Sequence, residues 1–157
     1  MIIRPPSSSR KVSIFRALIE AAENKAKPDL SFGKGYKLCS RKRISEIFKD
    51  AQIVKNFPIR VLWQCTTLDE NDEEPVIQAV FSVPKRLFKK AHDRNLIKRR
   101  MRESFRKNRL SMEHILLNKK KRMYLFIVYQ ENKILDFELI EKKIRSAINQ
   151  LIKTQES

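Results

Sequence analysis

The run YLFIVY at residues 124–129 constrains the fold more than any other stretch of this chain. It has the length of a strand and is apolar on both faces. Such a strand must be covered on both sides, so it is expected at the centre of a sheet. It is also the longest apolar run in the sequence, well short of the roughly 18 residues that a bilayer span needs, so no membrane association is expected.

Other elements can be arranged around that strand. FPIRVLWQC alternates Phe57, Ile59, Val61, Trp63 and Cys65 against Arg60, Leu62 and Gln64, which predicts a strand with one strongly apolar face. VIQAVFSV, stopped by Pro84, predicts a second strand. The acidic DENDEE segment at residues 69–74 lies between them, so the two are expected to pair as a hairpin, with the acidic loop projecting away from any polyanion.

Helices are expected on either side. In CSRKRISEIFKD, Ser40 suits an N-cap and Ile44, Ile47 and Phe48 share a face, with Cys39 and Ile44 as staple partners. Near the C-terminus, Leu135, Asp136 and Ile140 repeat that logic. A stripe of Ile140, Ile144, Ala147, Ile148 and Leu151 follows. A third, basic helix lies between the second and third strands.

The order α-β-β-α-β-α predicts an α+β fold, a small two-layer sandwich of helices packed on a mostly central sheet. Residues 1–31 read as an appendage, with a helix over residues 12–26 carrying Ile14, Leu18 and Ala22 and ended by Pro28. FGKGYK reads as a flexible joint into a domain of residues 32–157.

Charge points to the partner. The chain has 35 Lys and Arg against 18 Asp and Glu, a net +17, which favours a polyanion. Residues 85–109 hold twelve bases and two acids, Asp93 and Glu103, and so carry about ten of the seventeen net charges. At 100° per residue, Ile97, Met101, Ser104 and Phe105 form a docking side. Arg94, Asn95, Lys98, Arg99, Arg102, Arg106 and Arg109 cluster beside it, and Asp93 suits the helix cap. Few acids stand at i±4 to pair with these cations, so the face repels itself until something neutralises it. A stripe of this kind matches nucleic-acid phosphates, a binding role rather than a chemical one.

Catalytic signatures are missing. Cys39 and Cys65 cannot make a disulfide framework or a four-ligand zinc site, and His92 and His114 add no ligand spacing. Gly33 and Gly35, the only glycines, cannot build a phosphate loop or a dinucleotide turn. His92 beside Asp93 reads as a helix start rather than a dyad. The basic, Ser-containing N-terminus lacks the apolar core of a secretory signal, and Glu20 and Glu23 follow soon after, so a cytoplasmic location is expected.

The segment SVPKRLFKKAHDRNLIKRRMRESFR resembles the signature of the protein subunit of bacterial ribonuclease P, in which a strand ending SV-x-K-K/R leads into a helix with RNRxKRxxRE. Arg94, Asn95, Lys98, Arg99, Arg102 and Glu103 match it, and Leu96 stands where the family usually has Arg. YKLCSRKRISEIF is similar to the family's opening segment, and the likeness spans about residues 32–155.

The resemblance implies a ribonucleoprotein endonuclease that removes the 5′ leader of precursor tRNA. Its catalytic RNA subunit carries the reaction with Mg2+, and no cofactor is implied for the protein itself. The implied partners are that RNA and precursor tRNA, with no protein partner. Arg94, Asn95, Lys98, Arg99, Arg102 and Arg106, with Lys85, Arg86, Lys89 and Lys90, would bind the RNA subunit. Lys37, Lys42, Ile44, Phe48, Arg60 and Trp63 would line a leader cleft, although Phe48 and Trp63 equally fit core packing. A left-handed β-α-β crossover is implied as well, against the usual rule. Charge alone leaves open a non-enzymatic RNA-binding or ribosome-associated protein, and a helix-turn-helix DNA binder is a weaker alternative.

Overall fold

The computed structural model describes residues 32–156. The appendage, including the helix expected over residues 12–26, lies outside the described residues. After a 3-10 turn at Lys34–Tyr36 come α1 (Arg41–Asp50), β1 (Gln52–Asn56), β2 (Ile59–Thr67) and β3 (Ile77–Ser82). They are followed by α2 (Ala91–Asn108), α3 (Leu110–Asn118), β4 (Lys121–Tyr129) and α4 (Phe137–Glu156).

The sheet runs β1-β2-β4-β3. β4 is an interior strand, as its doubly apolar sequence requires. It pairs antiparallel with β2, from Ile59 opposite Tyr129 to Thr67 opposite Lys121, and parallel with β3, from Ile77 opposite Met123 to Ser82 opposite Val128. The expected β2–β3 hairpin is therefore not formed. β4 fills the place between them, and two strands cannot both flank it and pair with each other.

The edge strand β1 is an addition to the expected elements. It forms the true hairpin with β2, through a turn at Phe57 and a cis Pro58. Phe57 belongs to that turn and not to the strand, and it is 61% exposed.

Strand alternation sorts side chains onto two faces. Ile59, Val61, Trp63, Ala79, Phe81, Leu125, Ile127 and Tyr129 face α2, α3 and α4 in the main core. The docking side of α2 is as expected: Ile97, Met101, Ser104 and Phe105 are its buried residues. The α4 stripe of Ile140, Ile144, Ala147, Ile148 and Leu151 is likewise buried. Each of the larger apolar side chains among them, Ile, Leu, Met or Phe, contributes roughly 1.5–3 kcal/mol on burial. Buried Ser104 is satisfied by donating to the Arg100 carbonyl at 2.7 Å.

The opposite face carries α1 alone. Ile47 packs there with Leu38, Leu62 and Tyr124, flanked by half-buried Ile44, Val80, Phe126 and Val128. Ser40 caps α1 as expected, accepting from the Arg43 amide at 3.4 Å, a bond worth about 1 kcal/mol. Cys39 is exposed.

FGKGYK is part of the domain rather than a joint. Phe32 packs against the rings of Phe81, Phe105 and Tyr36, with centroids 5.7–6.0 Å apart. The Gly35 carbonyl accepts from Gln78 Nε2 at 3.1 Å, and a Cβ at Gly35 would stand 3.2 Å from the Pro75 ring, a tight contact that any larger residue could make only by displacing that ring by a few tenths of an ångström. Lys37 then bridges to Ala79, which covers the outer edge of β3.

The acidic loop also folds back. Asp72 pairs with buried Arg122, whose Nη2 and Nε donate to the carbonyls of Glu74 and Pro75 at 2.8 and 3.2 Å.

Candidate nucleic-acid interface

Two basic surfaces lie on opposite faces of the sheet. The first is the outer side of α2 with the loop before it. Lys85, Arg86, Lys89 and Lys90 are exposed on that loop, and Asn95, Arg99 and Arg102 are exposed on the helix, with Lys98 half-buried beside them.

Several of the motif cations already have partners. Arg106 donates to Glu103 through Nε at 2.9 Å and Nη2 at 2.5 Å, and this bond holds the Glu103 carboxyl below its usual range. Arg94 turns back on the loop, its Nη1 donating to the carbonyls of Phe88 and Lys89, both at 2.9 Å.

Two details depart from the sequence reading. The helix starts at Ala91 with Lys90 as N-cap, so Asp93 sits in the first turn instead of capping it. There its carboxylate still favours the helix N-terminus. Exposed His92 lies 3.6 Å from Asp93, an ordinary pair at a helix start. Arg109 does not join the cationic face: it is 1% exposed, its Nη1 is 2.5 Å from Glu113 Oε1, and its guanidinium lies 4.2 Å from the Tyr36 ring centre. α2 ends at Asn108, so the 100° wheel no longer applies at Arg109.

The second surface is a groove between α1 and the outer face of the sheet. Its floor is laid out in cross-strand rows. One row is Ile53, Leu62, Phe126 and Val80, and the next is Lys55, Arg60, Val128 and Ser82. Phe48 leans from α1 onto Phe126, with centroids 4.7 Å apart and planes at 63°, yet remains 58% exposed. Arg43 lies over Tyr124 at 5.1 Å.

Lys55 and Arg60 stand directly opposite each other on the same face, an unfavourable like-charge pair. The Nε of Arg60 is buried without a hydrogen-bond partner. An anion laid along this row would relieve both. From these two cations the row passes through Val128 to Ser82, where β3 leaves it and runs toward the Lys85–Arg86 loop.

Of the residues expected in the leader cleft, Ile44, Phe48 and Arg60 come together here, and Lys37 and Lys42 are exposed on and before α1. Trp63 does not. It is 5% exposed in the main core on the opposite face, because strand alternation places it with Ile59 and Val61. Lys55, Arg43, Tyr124 and Phe126 were not singled out from the sequence. Alternation within β2 and β4 could have placed the two aromatics.

Among the described residues, no three His, Cys, Asp or Glu side chains are placed to hold a metal ion, and no helix is long and apolar enough to cross a membrane.

A family profile described as Ribonuclease P matches residues 32–152. The chain is similar to the ribonuclease P protein component of Porphyromonas gingivalis, 24% identical over 123 residues that cover 77% of this chain and 86% of that one. Among solved structures, the RNase P protein of Staphylococcus aureus superposes with a TM-score of 0.56 at 22% identity, covering 74% of this chain and 94% of its own. A mutant of that protein, described as defective in mRNA degradation activity, gives 0.53 at 19% identity, covering 88% and 96%. These superpositions speak for the α+β fold. The profile, which spans most of the chain, carries the conclusion: the chain belongs to the ribonuclease P protein family, the protein component of the endoribonuclease that matures the 5′ end of tRNA.

Proposed function

We propose that this protein binds the catalytic RNA of ribonuclease P through α2 and the loop before it, and holds the 5′ leader of precursor tRNA in the α1 groove, acting in the cytoplasm. The observation that carries this reading is the Lys55–Arg60–Val128–Ser82 row, which runs from the cationic pair of the groove to the strand that leads into the Lys85–Arg86 loop. One protein can thereby touch a structured RNA and a single strand emerging beside it.

On the α2 side, Lys98, Arg99 and Arg102, with the loop cations, neutralise phosphates and release their counterions. This affinity depends on charge and shape and needs no base reading. In the groove, the exposed Phe48 ring offers a face for an unpaired base while Arg60 and Lys55 take backbone phosphates. Lys37 and Lys42 extend the positive field at the start of α1.

Phosphodiester hydrolysis belongs to the RNA subunit and its Mg2+ ions. The protein raises substrate affinity and lowers the electrostatic cost of bringing two RNAs together.

The test is to reconstitute the chain with its cognate catalytic RNA and measure precursor affinity against leader length. Affinity should rise over the first few leader nucleotides and then level, and Arg60→Ala should flatten the rise. Affinity independent of the leader would overturn the groove assignment. Equal affinity for unrelated structured RNAs, with no gain in cleavage, would instead favour a general RNA-binding protein.

A further inference from the structure

We propose that Arg94 is a positioning residue, which fastens the β3–α2 loop so that Lys85, Arg86, Lys89 and Lys90 stand beside the α2 stripe, and is not itself a phosphate contact. The inference rests on the reading that this face binds the catalytic RNA.

The geometry of one nitrogen carries it. Nη1 of Arg94 directs its two N–H bonds to two consecutive loop carbonyls, those of Phe88 and Lys89, each at 2.9 Å. Leu87 and Phe88 hold the middle of the loop on the core, but few other hydrogen bonds join the loop to the start of the helix it precedes. Lys90, the N-cap, makes no side-chain cap bond, and the first helical backbone bond, from the Arg94 amide to the Lys90 carbonyl, is 3.3 Å long.

Within the loop there is a turn in which the amides of Leu87 and Phe88 donate to the Pro84 carbonyl at 3.1 and 3.4 Å. Phe88 is buried, with its ring 6.1 Å from that of Tyr129, so the carbonyl that Arg94 grips belongs to an anchored residue. The remaining side chains are Leu87, partly buried against the main core, and four cations with no acid among them. Such a segment repels itself and splays unless it is tied down.

The position of Arg94 agrees with this role. A cation in the first turn of a helix faces the positive end of the macrodipole, a poor place for a residue retained only as a charge. Two carbonyl acceptors offset that cost. Lys98, Arg99 and Arg102 lie farther along α2, clear of the terminus, and keep the phosphate role.

The experiment is a pair of double-mutant cycles on binding of the full chain to its cognate catalytic RNA, each read with its salt dependence. One cycle combines Arg94→Ala with Lys89→Ala and Lys90→Ala. The other combines Arg94→Ala with Arg102→Ala, about 12 Å farther along the helix. If Arg94 holds the loop, its loss already misplaces the lysines. Arg94→Ala alone should then weaken binding about tenfold, and adding the lysine replacements should cost no more than about twofold further. Arg94→Ala should also flatten the salt slope by more than the single contact that one phosphate partner would remove. With Arg102→Ala the effects should multiply, as expected for sites beyond about 7–10 Å.

Multiplication in both cycles, with a slope change of about one contact, would overturn the proposal and make Arg94 an ordinary phosphate ligand. A global loss of structure would reduce binding in both cycles alike and would not single out the lysines. Should Arg94→Ala not fold, Arg94→Lys serves in the same cycles. Its charge remains for a phosphate, but its ammonium falls one bond short of the carbonyls, so the lysine coupling should persist. Full recovery of wild-type binding by Arg94→Lys would also overturn the proposal. If Arg102→Ala leaves RNA binding unchanged, the failure lies with the RNA-binding reading of α2 and not with Arg94.

Discussion

Replacing Phe48 with Ala separates a groove that holds RNA from a surface that merely completes the fold. Phe48 is 58% exposed, so about 42% of the residue (100 − 58) is shielded, with the Phe126 ring 4.7 Å away. Taking a Phe side chain as about 200 Å2, the shielded part is about 80 Å2. At about 25 cal/mol per Å2 its loss costs about 2 kcal/mol, an upper bound because the unfolded chain is itself partly collapsed.

Loss of a stacked base costs about 1–3 kcal/mol of binding, or roughly 5- to 150-fold in affinity. Urea unfolding of the free protein should therefore show a small drop, while the reconstituted enzyme should bind precursor tRNA more weakly and mature tRNA as before. A stability loss of about 4 kcal/mol, or equal weakening toward both tRNAs, would refute the reasoning.

Trp63→Ala should behave in the opposite way, costing about 3–5 kcal/mol in urea unfolding because its ring fills the main core, with no preferential effect on precursor over mature tRNA. Selective loss of leader binding would return Trp63 to the groove. Glu113→Ala leaves the buried Arg109 charge without its carboxylate and should cost about 3–5 kcal/mol by the same measurement; a loss below about 1 kcal/mol would contradict the pairing. Lys120 follows α3 with φ 53°, a left-handed conformation that suits glycine at a helix end. Lys120→Gly should stabilise the protein by about 1 kcal/mol in thermal unfolding, and no gain would count against strain at that residue.

What could be read from the sequence followed from periodicity. The docking side of α2 and the α4 stripe repeat every three or four residues over several turns, and the double apolarity of β4 leaves it only an interior place. Trp63 shows the strength of the same rule: alternation within β2 already put it on the core side with Ile59 and Val61, and only the family resemblance drew it toward the cleft.

Short or non-local features were harder to read. In β1, Ile53 and Val54 are adjacent apolar residues on opposite faces of a five-residue strand, a pattern without alternation. The parallel pairing of β3 with β4 joins segments separated by two helices, and nothing in either strand favours it over the nearer hairpin. α3 follows α2 with only Arg109 between them, so it reads as a continuation of one helix. For the groove, the identities of Phe48 and Arg60 were visible, but their meeting with Phe126 and Lys55 depends on a register that no single segment encodes.

Single-turnover cleavage of a precursor tRNA at limiting Mg2+ tests most directly whether the cations of α2 are what this protein supplies. Three samples suffice: the cognate catalytic RNA alone, the RNA with this chain, and the RNA with a chain carrying Lys98→Ala, Arg99→Ala and Arg102→Ala. The wild-type chain should restore leader removal and the triple variant should not. High Mg2+ should recover cleavage in the absence of working protein, since added cations replace missing ones. Equal stimulation by the wild-type and triple-variant chains, or none by either, would contradict the assignment of α2 as the RNA-binding face.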